Sequence, residues 1–124
     1  MGWAERGVQI ENAIERSPQL KPGFPTIDRF ENGIATSIKS IDLGAKTYQD
    51  IGALTSKVQG YVTSVANFKG AYYGGFRLTA DMITGRGLIL AIPPNATAEQ
   101  MAALQQLQTW AANQSVNLTL QVVK

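Results

Sequence analysis

The pair Asn32-Gly33 restricts this chain more than any other two residues. Both tolerate φ > 0, which the central positions of a type I′ turn require, and both lie between runs rich in β-forming residues. Residues 24–43 (FPTIDRFENGIATSIKSIDL) therefore read as a β-hairpin with a two-residue loop. The turn sets the register: Glu31 faces Ile34, Phe30 faces Ala35, Arg29 faces Thr36, Asp28 faces Ser37, Ile27 faces Ile38 and Thr26 faces Lys39. Side chains alternate sides along a strand. Asp28, Ser37 and Lys39 are thus expected on one face, and Ile27, Ile34 and Ile38 on the other. Opposed residues have Cβ atoms roughly 4.5–5.5 Å apart, and diagonal neighbours about 7–8 Å. A carboxylate, a hydroxyl and an ammonium then converge on one side of a twisted ribbon. Pro25 lacks an N–H and weakens the pairing around Thr26.

Composition narrows the chemistry this convergence can carry. The chain has no cysteine and no histidine. That excludes Ser-His-Asp and Cys-His nucleophilic catalysis, histidine general acid–base chemistry and the usual Cys/His zinc sites. What remains are carboxylates, Lys, Arg, Tyr, Ser, or a metal held by oxygen. The net charge of +2 is a weak pointer to a polyanionic partner. With 44% hydrophobic and 16% charged residues over 124 positions, residues 1–124 read as a single globular domain. No apolar run approaches the roughly 20 residues of a membrane helix, and no N-terminal signal pattern is visible. The sequence reads as a domain cut from something longer.

The remaining elements follow in order. Residues 3–16 predict an amphipathic helix on Trp3, Ile10 and Ile14, ended by Ser17-Pro18. Glu11 and Glu15 share one face of it. After Gly44, Thr47 and Asp50 form a helix-capping arrangement. A long helix then runs to about Phe68 on Ile51, Leu54, Val58, Tyr61, Val62 and Val65. Residues 67–75 read as an irregular link, and 76–80 and 86–92 as strands. Thr97 and Gln100 form a capping box for a helix to about Asn113, and 116–123 alternates as a closing strand. This order predicts an α/β or α+β layered domain with a central mixed sheet flanked by helices.

Asp28 with Ser37-Ile38-Lys39 resembles the core of the PD-(D/E)xK nucleases, in which an acidic residue near a hairpin precedes a (D/E/S)-x-K element on the next strand. A closer resemblance is to the nuclease toxin domains at the C-termini of contact-dependent growth inhibition (CDI) proteins. It lies in RG-x-x-IE, FPTIDRF-x-NG-x-ATSIKSIDL-x-AK-x-YQ and the closing LAIPP…VNLTL…V. The resemblance implies a restriction-endonuclease-like fold and a divalent ion, Mg²⁺ or alternatively Zn²⁺ or Mn²⁺. It points to Asp28 and Glu11 as metal ligands, with Glu15 the reserve for Glu11. Lys39 would orient the attacking water, and Ser37, in place of the commoner acid, would ligate the ion or hydrogen-bond its water. Lys46 and Arg86 are the preferred phosphate contacts. The implied setting is a larger cell-surface protein whose toxin domain acts in the cytoplasm of a neighbouring bacterium. A cognate immunity protein would meet it at a strand pair after the central helix, here residues 76–90. DNA is the favoured substrate and tRNA the alternative.

Taken singly, each of these residues has an ordinary explanation. Asp28 suits a solvated position near a turn, Lys39 an exposed or edge strand, and the glutamates a solvated helix face. Asp42 reads as structural or capping. A non-catalytic protein-binding module is therefore the rival from a different class.

Overall fold

A computed structural model describes residues 17, 20, 21 and 23–123. The helix expected over residues 3–16, and Glu11 and Glu15 with it, lies outside the described residues. The hairpin forms around the expected bend, with φ of +54° at Asn32 and +81° at Gly33. A Cβ at Gly33 would run into the Thr84 hydroxyl, so glycine is required there for space as well as for φ. Strand β1 (Arg29–Glu31) pairs antiparallel with β2 (Ile34–Ser40) in the expected register from Arg29↔Thr36 to Glu31↔Ile34.

The pairs expected beyond Arg29 do not form. Pro25 has no amide to offer, Thr26 adopts φ +67°, and the Ile27 amide turns back to the Pro25 carbonyl at 2.7 Å. Ile27 consequently packs with Ala35, Phe24, Phe68 and Leu78, rather than with Ile34 and Ile38. Ile34 is left exposed.

After β2, a 3₁₀ turn (Lys46–Gln49) leads into helix α1 (Ile51–Ala66). Its N-cap is Asp50, not Thr47: the Asp50 carboxylate accepts from the amides of Gly52 and Ala53 at 2.9 and 3.4 Å. Leu54, Val58, Val62 and Val65 are its buried stripe. The segment read as irregular contains a strand. β3 (Gly70–Tyr73) and β4 (Phe76–Thr79) form a separate two-stranded ribbon through Gly74-Gly75, both at positive φ. β5 (Gly85–Ile92) follows a short 3₁₀ turn, then α2 (Ala98–Asn113) and β6 (Val116–Val122). The main sheet has the order β1-β2-β5-β6, with β2, β5 and β6 parallel, so the sheet is mixed as expected.

Both helices cover one face of that sheet. Leu88, Leu90 and Ile92 of β5 and Val116 and Leu118 of β6 pack with Leu54, Val58, Leu104 and Leu107. Each such side chain contributes roughly 1.5–3 kcal/mol on burial. Residues opposite Leu88 and Leu90 on β2 are Ser37 and Lys39, so strand alternation puts these two on the helix-covered face.

A buried glutamine ties α2 to the loop that follows β2. Gln100, 1% exposed, donates from Nε2 to the carbonyls of Leu43 and Tyr48, both at 2.9 Å, and its Oε1 accepts the Thr97 amide at 3.0 Å. Gln100→Leu would fill the same space, take the partner from the part-buried Tyr48 carbonyl and Thr97 amide, and leave the Leu43 carbonyl to Gln49 alone. A loss of about 1–3 kcal/mol is expected, read as a lower urea midpoint at unchanged m.

Candidate active site

The hairpin register stops at Arg29, and the chain then spends Asp28 on β2 in another way. Its amide donates to the Thr36 carbonyl at 2.9 Å, and its carboxylate Oδ2 accepts the Ile38 amide at 2.8 Å. Its carbonyl accepts the Ser17 amide at 3.1 Å. Ser17 itself is buried, and its hydroxyl takes the Phe30 amide at 2.7 Å. Asp28 is thus fixed by backbone bonds toward two segments. Its carboxylate stands at the peptide between Ser37 and Lys39, where a full-length β1 would have placed a carbonyl. A short β1 is what leaves this stretch of β2 open to a side chain.

Ser37 is 1% exposed and Lys39 half-buried. At Lys39, β2 has β5 on one side and, past the last β1 pair at Thr36, the Asp28 carboxylate in place of a strand on the other. Its ammonium sits 5.7 Å from the centroid of the Tyr61 ring on α1, and Lys57, one turn earlier on that helix, places its own 5.4 Å from the same ring. At such solvent-accessible positions a cation–π contact contributes about 0.5–1 kcal/mol. Among the described residues, neither lysine has a carboxylate within ion-pair distance. Tyr61 was assigned by its helical spacing to the core stripe; its second role depends on β2 lying alongside α1, which spacing within one helix does not reveal.

Lys46 is exposed on the 3₁₀ turn beyond the C-terminal end of β2, the end that carries Lys39. Arg86 pairs with Ala35, at the other end of the strand, about 13 Å from Lys39 at the usual rise per residue. Its Nη2 donates to the Phe68 carbonyl at 2.8 Å, while its buried Nε has no partner among the described residues. Asp42 accepts the Gly44 amide at 3.1 Å, the local turn role expected of it. A cavity of about 540 Å³ opens at the N-terminal ends of β5 and β6 beside the end of α2, lined by Arg29, Thr36, Arg86, Gly87, Ala112 and Asn117 among others. It contains none of Asp28, Ser37 and Lys39.

Of the expected ligands, the Asp28 carboxylate is fixed at the Ile38 amide, and Ser37, the residue before it on β2, is buried. Among the described residues there is no group of three or more acidic side chains that could enclose an ion. A single carboxylate oxygen donor is compatible with a hard divalent cation such as Mg²⁺, which takes one or two carboxylates and keeps most of its water.

The family described as CDI toxin restriction endonuclease-like domain matches residues 6–121. Two curated relatives align over 99% of this chain at 28% identity: deoxyribonuclease CdiA-o11 of Escherichia coli O157:H7 (strain EC869) and deoxyribonuclease CdiA of Yersinia pseudotuberculosis serotype O:3 (strain YPIII). The chain spans 34% and 12% of their respective lengths. A solved CdiA-CT/CdiI toxin and immunity complex from Yersinia pseudotuberculosis contains a chain that superposes along its full length on all of this one, with a TM-score of 0.75 and 25% identity. The mixed sheet, the two helices and a match over nearly all the sequence lead to one conclusion: this chain belongs to the family of CDI toxin restriction endonuclease-like domains.

Proposed function

We propose that this domain is a divalent-metal-dependent endonuclease that hydrolyses DNA as the toxic part of a contact-dependent growth inhibition protein. The observation that carries it is the Asp28 carboxylate fixed at the Ile38 amide, between Ser37 and Lys39. Curated relatives named deoxyribonucleases support DNA over tRNA. Asp28, with Ser37 and a glutamate from the first segment (Glu11, or Glu15), would hold the ion. When bound, the metal supplies a polarised phosphate oxygen and a water of lowered pKa. The residues do the rest. Asp28 keeps its geometry because its second function, accepting a backbone amide, already orients it. The Lys39 ammonium donates to the attacking water and offsets the charge that builds on the phosphate. Ser37 donates or accepts one hydrogen bond without adding charge. Lys46 and Arg86 would contact flanking phosphates, Arg86 through the guanidinium N–H groups left over from Phe68.

The domain would be delivered from a larger cell-surface protein to the cytoplasm of a neighbouring bacterium, and a cognate immunity protein would hold it in check. The strand pair that follows the central helix is β3–β4, residues 70–79, which overlaps the expected 76–90 region only at β4. Its Tyr72 and Tyr73 are exposed and suit a protein partner.

Incubating the domain with plasmid DNA and with total tRNA, each with Mg²⁺, Mn²⁺ or Zn²⁺ and with chelator, tests this reading. Metal-dependent plasmid cleavage is expected. Cleavage of tRNA alone would move the substrate to RNA, persistence in chelator would remove the metal, and inertness toward both would leave a binding module.

A further inference from the structure

The geometry of Tyr61 goes beyond these assignments. One ring carries two ammonium groups, Lys39 from the sheet and Lys57 from the helix, at 5.7 and 5.4 Å from its centroid. Like charges brought to a common ring repel each other, and among the described residues no carboxylate forms an ion pair with either one. Such an arrangement is most favourable when an anion with regularly spaced charges lies across both groups. A polynucleotide backbone is that anion, with one phosphate per 3.4 Å of rise along each strand of duplex DNA. The two lysines differ in the way such a substrate requires. Lys39 is half-buried on the interior strand beside Asp28, whereas Lys57 is exposed on the outer side of α1.

We propose that Lys39, Tyr61 and Lys57 form one phosphate-binding track, in which Lys57 takes a phosphate flanking the scissile one and Tyr61 is the positioning residue that presents both ammonium groups. The proposal rests on the reading of Lys39 as the catalytic amine. The flat ring confines two long, rotamer-rich side chains before substrate arrives, so less freedom is lost when phosphates bind. Lys57 and Tyr61 are i, i+4 on one helix, which keeps their contact independent of the rest of the site.

Steady-state cleavage of duplex DNA by the full domain, measured from 50 to 200 mM salt, tests the track. Lys57→Gln is expected to raise KM about fivefold at the lowest salt, and to flatten the log–log salt dependence of kcat/KM by about one charge. Lys69→Gln, the same charge change at an exposed lysine past the end of α1, is expected to do neither. Tyr61→Leu is expected to lower kcat about tenfold, and Tyr61→Phe, which keeps the ring, to restore it. A Lys57→Gln salt slope equal to that of Lys69→Gln, or a Tyr61→Leu kcat within twofold of the parent, would overturn the track. Loss of cleavage in Lys39→Met with no effect at Lys57 would refute the track alone. A parent domain that cleaves no nucleic acid would refute the nuclease reading and the track with it.

Discussion

Lys39→Met is expected to lower DNA cleavage by roughly 100-fold to 1,000-fold, the usual loss when one preorganised donor to a developing oxyanion is removed. Methionine keeps most of the apolar stem that a half-buried lysine packs, so the change is confined to the ammonium. The structural cost is the contact with Tyr61, about 0.5–1 kcal/mol, which moves a domain of this size by a few degrees at most. Cleavage rates and thermal melts on the same preparation separate the two effects. Full activity in this variant would remove Lys39 from the mechanism.

Asp28 calls for two replacements, because its carboxylate has two duties. Asn presents one oxygen to the Ile38 amide and so keeps the bond that orients the side chain. What it loses is the negative charge a divalent ion needs. Asp28→Asn is therefore expected to keep the urea midpoint within about 1 kcal/mol of the parent while cleavage falls by 100-fold or more. Asp28→Ala removes both duties. It leaves the Ile38 amide without its partner at a part-buried position and is expected to cost a further 1–3 kcal/mol, or about that, in stability. If Asn at 28 cleaved at the parental rate, the carboxylate would be a structural cap and nothing more.

The readings that proved right are those fixed by short-range chemistry. The bend at Asn32-Gly33, the register from 29 to 31 against 34 to 36 and the Thr97–Gln100 capping box each depend on residues within a few positions of one another. The alternation in β5 and β6 was legible for the same reason. The exceptions have local causes too. Asp50 displaced Thr47 as the helix cap because both can cap, and the intervening residues closed into a 3₁₀ turn. The β3–β4 ribbon was obscured by Gly70, Gly74 and Gly75, which weaken a strand pattern, although Gly74-Gly75 between two aromatic residues is itself a hairpin signal. The candidate site was legible as a set of residue types and only partly as geometry. Asp28 reaches β2 through its side chain because Pro25 and Thr26 bend the chain away, a competition between a rigid ring and a ladder that spacing alone does not resolve. The parallel pairing of β2 with β5 joins segments some fifty residues apart, and with it came Tyr61 beneath Lys39. No local pattern encodes such a neighbour.

Among the described residues, the β3–β4 ribbon makes ladder bonds only within itself. Leu78 is buried against Phe24 and Ile27, with Ala71 and Phe76 packed beside it, and these inward side chains anchor the ribbon to the body. Tyr72 and Arg77, paired on its outer side with the guanidinium 5.5 Å from the ring centroid, support no strand of the main sheet, whereas Tyr73 turns inward against Phe24. Tyr72 and Arg77 can therefore change without loosening Asp28 or Lys39, and on the proposed reading a partner's recognition surface can vary while the candidate site stays the same.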